Sequence, residues 1–589
     1  MCGIFGLINA DNDAAEVILQ GLKKLEYRGY DSWGVVVKPV GSEQDQVLSL
    51  EKHVGKISQA ETNLPQARIG LGHTRWATHG GVTDDNAHPH FDCSQTLSVV
   101  HNGIIENFRE LKAELIKQNH QFRSETDSEI AAHLIEHRYQ QDQDFRQAVF
   151  SSFAQLQGSN AIAVIDQASE QIAVCRDGSP LIIGLGKDQY YLASDASALL
   201  AHTKQVIYLQ DQQGAVISQD GVQVYDLDSG QKLEPEIETL DWDEEQVDKQ
   251  DYPHYLIKEI FEQKQIIPDL LSLNNQVYPQ FEQDLANSSK LLLIGCGTAY
   301  HVAKLAAYYF ADQGCQAYAV QAHEFAAFKD WCDAKTLVLA VSQSGETADT
   351  LLASKAAKQK EAKLVSLVNA KGSTLARLAD INLQVGAGPE IAVVSTKAST
   401  AQLINLFLAA NVNDLSSARR QVKQFAKKLE NWLTPKLQQE LIKTAKKIMN
   451  EAHSYVIGKR YNYPAALEFA LKIKETSYQH AEGFAASELK HGVISLISHG
   501  TPCFVLGDQL TKKEVVSSGI EVSSRGGMII GVSPEPDESY DRWIKVPDGG
   551  ELTSIYNIIV GQMLGYLIGV GRGVDPDKPR NLAKSVTVK

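Results

Sequence analysis

Leu337-Val338-Leu339-Ala340-Val341-Ser342-Gln343-Ser344-Gly345-Glu346-Thr347 is the stretch that decides the architecture of most of this chain. Five apolar residues predict a buried strand, the serines and glycine a tight turn, and the residues beyond Thr347 a helix. Hydroxyls and backbone N–H groups therefore gather at a helix N-terminus, a place suited to a phosphate. No lysine follows the glycine, so this is not a nucleoside-triphosphate loop. A serine N-cap without any ligand would produce the same pattern. Strand, turn and helix recur around 291–294, which leads into Gly295-Cys296-Gly297, and the series continues at 364–367. A parallel sheet with helices on its faces follows. After a basic, helical connection the pattern returns, with strands at 454–458, 503–506 and 528–532 and a helix around 465–474. We read this as an internal duplication. It places one doubly wound domain at 280–420, a connecting helix at 421–444, a second doubly wound domain at 445–579 and a tail at 580–589.

Upstream the texture differs. Residues 2–220 alternate short apolar runs (97–100, 161–165, 181–184) with turns and a few helices, which predicts an α+β domain. One helix is expected at 13–27, because Val17, Ile18, Leu22 and Leu25 share a face and Gly29 can end it. Residues 221–279 read as a linker and connecting helix: nine carboxylates lie between Glu234 and Asp251, and a helix is expected at 255–271.

Composition sets limits on all this. At 589 residues the chain is too long for one core, and three or four domains are expected. A net charge of −16, with no local basic patch, argues against a nucleic-acid partner. The most apolar run, 555–569, is interrupted by Asn557 and Gln562 and falls short of the roughly 18 residues of a membrane span. It is expected to be a buried helix, with no membrane partner. Seven cysteines, at 2, 93, 175, 296, 315, 332 and 503, form no CxxC pair and follow no signal peptide, which fits a reducing cytoplasm.

Cys2 stands directly after Met1. Removal of the methionine would leave thiol and α-amine on one residue, and an amine with a pKa of about 7.7–8.0 can take the thiol proton near neutral pH. The motifs that accompany it are Cys2-Gly3-Ile4-Phe5-Gly6, Tyr27-Arg28-Gly29-Tyr30-Asp31-Ser32, His73-Thr74-Arg75-Trp76-Ala77-Thr78-His79-Gly80, His101-Asn102-Gly103-Ile104-Ile105-Glu106-Asn107 and Ser124-Glu125-Thr126-Asp127. In this order they resemble the class II glutamine amidotransferases, a branch of the N-terminal nucleophile hydrolases. The resemblance implies a four-layer α/β/β/α sandwich and a Cys2 nucleophile. It also implies an oxyanion hole made by Asn102 and the Gly103 N–H. Arg75 would bind the carboxylate of glutamine and Asp127 its ammonium group, with Thr78 and His79 lining the pocket. Trp76 would gate a dry passage for ammonia.

The second half resembles the sugar isomerase (SIS) domain, taken twice. That implies phosphate contacts from Ser342, Gln343, Ser344 and Thr347, with Thr298, Val393 and Ser395 on neighbouring loops. Two departures stand out: Ala299 replaces a serine after Cys296-Gly297-Thr298, and Ser399 replaces a phenylalanine. Loss of one substrate hydrogen bond costs about 1 kcal/mol, which weakens binding without abolishing it. Glu468, Lys472 and Glu475 recur at i, i+4 and i+7 and so share a helix face, which by itself is also the pattern of a salt-bridged surface. Together with Glu488-Leu489-Lys490-His491-Gly492 and the segment from Pro579 to Val588, they make nearly the whole chain similar to the glutamine-dependent enzymes that aminate fructose 6-phosphate. By that resemblance His491 opens the sugar ring, reaching in from a second subunit of a homodimer, and Lys584 forms an imine with the open ketose. Glu475 then moves the proton between C1 and C2, Lys472 protonates a nearby oxygen and Glu468 positions the base or the sugar. The implied substrates are L-glutamine and D-fructose 6-phosphate, with no cofactor and no metal, since no His/Cys/Asp cluster has ligand spacing in sequence. Alternatives are an enzyme of the same architecture that acts on another phosphosugar or runs as a deaminating isomerase, a non-catalytic phosphosugar sensor, and a glutaminase alone.

Overall fold

The apolar run at 337 forms the strand Thr336–Ser342, every residue of which is buried. Its side chains divide by parity: Leu337, Leu339 and Val341 enter one core while Val338 and Ala340 enter another. A strand covered on both faces has no polar alternation, so its sequence reads as continuous hydrophobics. The computed structural model describes residues 2–9, 13–40, 47–240 and 248–587.

Two compact units emerge, one of residues 1–248 with 583–589, the other of residues 249–582. The second unit holds two five-stranded sheets, both wholly parallel. In chain order, Lys290–Gly295, Ala317–Gln321, Thr336–Ser342, Lys363–Val368 and Ile381–Gln384 stack in the order 2-1-3-4-5. His453–Gly458, His480–Ala485, Pro502–Leu506, Met528–Ser533 and Arg542–Lys545 repeat the same order. Identical strand orders give the expected duplication a topological form. In such a sheet the crevice where the order reverses, at the carboxyl ends of the first and third strands, is where ligands bind.

The first unit has an eight-stranded and a seven-stranded sheet, whose pairings are antiparallel. Ile4, Val36 and Leu71 from one meet Val100, Ala163 and Val174 from the other in a shared core. The helix Ala14–Leu25 covers the outer face of the first sheet, and Glu129–Asp142 with Phe145–Phe153 covers that of the second. Layers therefore run α/β/β/α.

Three boundaries differ from the sequence reading. Strands Gly221–Asp226, Lys232–Leu233 and Glu238–Thr239 all join the sheets of the first unit, inside the stretch read as linker. Val222, Val224 and Tyr225 already carried the apolar signal, but the carboxylates beyond Glu234 hid it. Asp241, Asp243, Glu244 and Glu245 of the acidic run lie outside the described residues, as do Met1 and Val588. Instead of one helix at 421–444 there are two, Leu415–Trp432 and Pro435–Ile448, because Pro435 is well suited to the first turn of a helix and disfavoured in its interior. The first helix ends at Leu25 and passes through a 3₁₀ turn, Glu26–Arg28, before Gly29. The apolar run at 555 lies in Thr553–Gly571, part of a segment long and apolar enough to cross a membrane. Of its most apolar window 83% is buried inside the protein, which makes it a core helix.

Candidate functional sites

Cys2 precedes the strand Gly3–Ile8, whose neighbour, Ala67–Arg75, ends beside it. That pairing brings the Trp76 N–H to 3.2 Å from the Cys2 Sγ. Burial pushes the Cys2 thiol up, against the pull of the Trp76 N–H and the Arg75 charge. A thiol so raised is protonated near neutral pH and needs a base before it can attack.

Asn102 and Gly103 end the strand Leu97–Gly103. The Asn102 Nδ2 donates to the Cys2 carbonyl at 3.1 Å, while its Oδ1 lies 3.1 Å from the His73 Nε2. His73 Nε2 also faces the His101 carbonyl at 3.0 Å, so both of its neighbours are acceptors and it must be the protonated nitrogen. His73 thus fixes which end of the Asn102 amide faces Cys2. Gly103 has φ +140°, and a Cβ there would stand 2.1 Å from the Ser159 carbonyl oxygen, so glycine suits this position in the pocket that Cys2 also lines.

Arg75 spends part of its fork on the loop that follows it, donating to the carbonyls of Gly81 at 3.0 Å, Gly80 at 3.4 Å and His79. Asp127 accepts from the Ile105 N–H at 2.8 Å and is 2% exposed. Trp76 packs edge-on against Tyr30, and His79 against Phe108. Cys2, Arg75, Trp76, Thr78, His79, Gly103 and Asp127 line one pocket. Every residue expected around glutamine is therefore at this pocket, except that Asn102 stands just behind it. His73 was in a quoted motif but had no assigned role; nothing in its type or spacing marks it as the residue that orients Asn102.

In the second unit, the helix Asn462–Ser477 carries Glu468, Lys472 and Glu475. The face is buried: Lys472 has no exposed surface and lies 3.1 Å from Glu468 and 2.7 Å from Glu475. Its Nζ also donates to Thr298 Oγ1 at 3.0 Å and to the Ser395 carbonyl at 3.3 Å. Thr298 in turn donates to Glu468 at 3.0 Å, and His301, one turn further along the helix Thr298–Asp312, meets the other Glu468 oxygen at 2.8 Å. Burial alone would strip charge from this group. Against it, the two carboxylates hold Lys472 protonated well above the ordinary ammonium range, and Lys472 with His301 brings Glu468 down to about 2. A solvated salt-bridge face is thereby ruled out. His301 escaped the sequence reading, although its position three residues after Thr298 puts it on the same helix face.

Thr298 begins just beyond the first strand of its sheet, and Ser342 ends the third, so both stand at the crevice where the strand order reverses. Gly345 turns the loop with φ +68°. Ser342 Oγ accepts the Gly345 N–H at 3.0 Å, and Ser344 Oγ accepts that of Glu346 at 3.2 Å. Thr347 is the N-cap of Ala348–Gln359, yet its hydroxyl makes no capping bond. The first-turn N–H groups are thus left to other acceptors. Gln343 sits between the serines, partly buried. Val393 donates its N–H to the Asp577 carbonyl at 3.1 Å. Ser399, in place of the expected phenylalanine, is buried and donates to the Thr396 carbonyl at 2.8 Å.

His491 ends the short turn Leu489–His491 with its side chain exposed, and takes no part in the contacts around Lys472. Lys584 lies in the tail that groups with the first unit. One gathering of residues was not foreseen: Cys93, His120, His133 and Glu136 converge in the first unit, although no ligand spacing had been read in the sequence. Their separations along the chain are irregular, so no short motif could announce them.

Comparison with known proteins finds relatives for both units. The glutamine amidotransferase domain family matches residues 73–201, and the SIS domain family matches residues 284–412 and 447–543. The chain is 40% identical over 609 residues to a protein of Thermococcus kodakarensis named glutamine–fructose-6-phosphate aminotransferase (isomerizing), with both chains covered in full. A protein of Aquifex aeolicus with the same name is 40% identical over 603 residues, again with full coverage of both. Among solved structures, the C-terminal domain of glucosamine-fructose-6-phosphate aminotransferase from Francisella tularensis aligns with a TM-score of 0.52 and 26% identity. It covers 56% of this chain and 99% of that one.

Proposed function

The chain belongs to the family of isomerising glutamine–fructose-6-phosphate aminotransferases, and on that footing we propose how its residues carry the reaction. Glutamine and D-fructose 6-phosphate are converted to L-glutamate and D-glucosamine 6-phosphate, with no cofactor. The observation that carries this reading is the buried Lys472 cation, clamped between Glu468 and Glu475 over Thr298 at the crevice of a doubly wound sheet. Buried, opposed charges at a ligand crevice mark a site that handles protons.

In the first unit, Cys2 freed of Met1 attacks the glutamine carboxamide while its own α-amine takes the thiol proton. Asn102 Nδ2 and the Gly103 N–H stabilise the developing oxyanion. The remaining Arg75 donors bind the substrate carboxylate, and Asp127 its ammonium group. Ammonia leaves with glutamate bound to sulfur as a thioester, which water hydrolyses.

In the second unit, Ser342, Gln343, Ser344 and Thr347 hold the sugar phosphate against the N-terminus of Ala348–Gln359. Thr298, Val393 and Ser395 border the sugar. His491, supplied by a second copy of the chain, opens the ring, and Lys584 forms an imine at C2 with loss of water. Ammonia displaces the lysine, and Glu475 carries a proton from C1 to C2 so that the ketimine becomes an aldose. Lys472, held as a cation by its two carboxylates, donates hydrogen bonds to the sugar oxygens, and Glu468 keeps it in place. Seven free cysteines suit a cytoplasmic enzyme.

The test is a direct assay of the purified protein with both substrates and no additive. Glucosamine 6-phosphate and glutamate should form in equal amounts. Cys2→Ala should lower glutamine-dependent synthesis at least about 1000-fold, as loss of a covalent nucleophile does, while ammonium salts still support amination. Absence of amino sugar with the unaltered protein would overturn the reading.

A further inference from the structure

Cys93 lies between the strands His90–Phe91 and Leu97–Gly103, His120 follows the helix Phe108–Lys117, and His133 and Glu136 share a face of Glu129–Asp142. None belongs to the glutamine pocket. The Cys93 Sγ is 3.4 Å from His133 Nδ1 and 3.6 Å from His120 Nδ1. Glu136 Oε2 is 3.1 Å from His120 Nδ1 and 3.6 Å from His133 Nδ1, and the four ligand atoms all lie within 4.8 Å of one another. Zinc bonds of about 2.0–2.3 Å at tetrahedral angles place neighbouring ligand atoms roughly 3.3–3.6 Å apart, close to the separations of 3.1–3.6 Å given above. We infer that Cys93, His120, His133 and Glu136 form a closed, tetrahedral site for a zinc ion.

The surroundings suit that role. The far ring nitrogen of His133, Nε2, lies 3.5 Å from Glu129, the carboxylate–histidine arrangement that fixes a ligand ring and leaves Nδ1 free for metal. Glu129 is itself held by the N–H groups of Arg123 at 2.8 Å and Ser124 at 2.7 Å. Glu136 is oriented by the N–H groups of Cys93 and Ser94, and the Gln121 N–H points at the Cys93 sulfur from 3.4 Å, where it would stabilise a thiolate. One sulfur, two imidazoles and one carboxylate make a borderline-soft donor set that favours zinc over magnesium or calcium. On binding, the Cys93 thiol gives its proton to solvent. Thiolate and carboxylate then balance the dication.

With four protein ligands the site has no open position for a substrate, so its work is structural. It joins the approach to the strand that ends in Asn102 and Gly103 to the helix that begins just after Asp127. The ion therefore steadies both walls of the glutamine pocket without touching glutamine.

Tag-free protein, purified without chelators and passed over a desalting column after incubation with Zn²⁺, should retain about one zinc per chain. Exchange for Co²⁺ should give the intense visible bands of a tetrahedral site together with a thiolate charge-transfer band. Cys93→Ser should abolish the charge-transfer band, and His120→Gln should lower zinc retention at least about tenfold. Glu136→Gln, the most conservative of the three, guards against a variant that merely fails to fold and should likewise lose zinc. Unaltered protein that retains no zinc, or takes up Co²⁺ without a thiolate band, would show a hydrogen-bonded cluster only and overturn the proposal.

Discussion

His73 shows how much a single buried ring can settle. It is not among the residues lining the pocket, yet its Nε2–H holds Asn102 so that the amide nitrogen faces Cys2. Either charge state of the ring could donate from Nε2, but burial pushes its pKa down to about 3, so it does this as a neutral ring. His88, His90 and His101 are displaced in the same direction, also chiefly by burial. The consequence for stability has a definite sign. Between the ordinary histidine pKa, about 6.5, and the lowered folded value, the unfolded chain binds protons that the folded chain does not. Stability is therefore fully present above that range and falls as pH drops through it, by up to about 1.4 kcal/mol per pH unit for each such histidine. Denaturant midpoints of the first unit, followed by Trp33 and Trp76 fluorescence, should fall steadily from pH 7 to pH 5. A midpoint that held constant over that interval would mean these rings are not buried as neutral groups.

Among the elements, the turn before Ala348–Gln359 and the helix Asn462–Ser477 are those proposed to carry the sugar chemistry, and each offers a test. A Cβ on Gly345 would stand 2.1 Å from Ser373 Oγ in a backbone conformation that side chains rarely adopt. Gly345→Ala should therefore disturb the phosphate turn and raise the KM for fructose 6-phosphate at least about tenfold, about 1.4 kcal/mol, with glutamate release unchanged. Equal damage to both half-reactions would remove the turn from the sugar site. Lys472→Met leaves Glu468 buried without its main countercharge, a loss of about 3–5 kcal/mol when one partner of a buried pair is removed. Thermal unfolding of the second unit should move down accordingly, and adding Glu468→Gln should recover part of the loss. An unshifted transition would mean that the pair is not buried. These elements also show what the sequence could reveal. Contiguous motifs such as His73–Gly80, and strand–turn–helix units such as the one at Leu337, were legible because neighbours in sequence remain neighbours in space. The strand Gly221–Asp226 was obscured by the acidic residues after it, and the Cys93 cluster by its spread over two loops and a helix. His301 was legible only once its partner Glu468 was known, because that contact spans 167 positions.

At the scale of the whole molecule, two unrelated architectures are joined in one chain, each with its own chemistry. An antiparallel α/β/β/α sandwich places a cysteine at the start of an interior strand, beside the Trp76 N–H. A pair of parallel sheets with the same strand order places a buried lysine and two carboxylates at a crevice. Neither half alone accounts for an amino sugar, since one releases nitrogen and the other accepts it. The most direct measurement is to supply glutamine labelled with ¹⁵N only in its side-chain amide, together with fructose 6-phosphate, and to follow the label by mass spectrometry. The account predicts ¹⁵N in glucosamine 6-phosphate in step with glutamate release. Glutamate formed while the label stays in free ammonium, with no amino sugar, would contradict it.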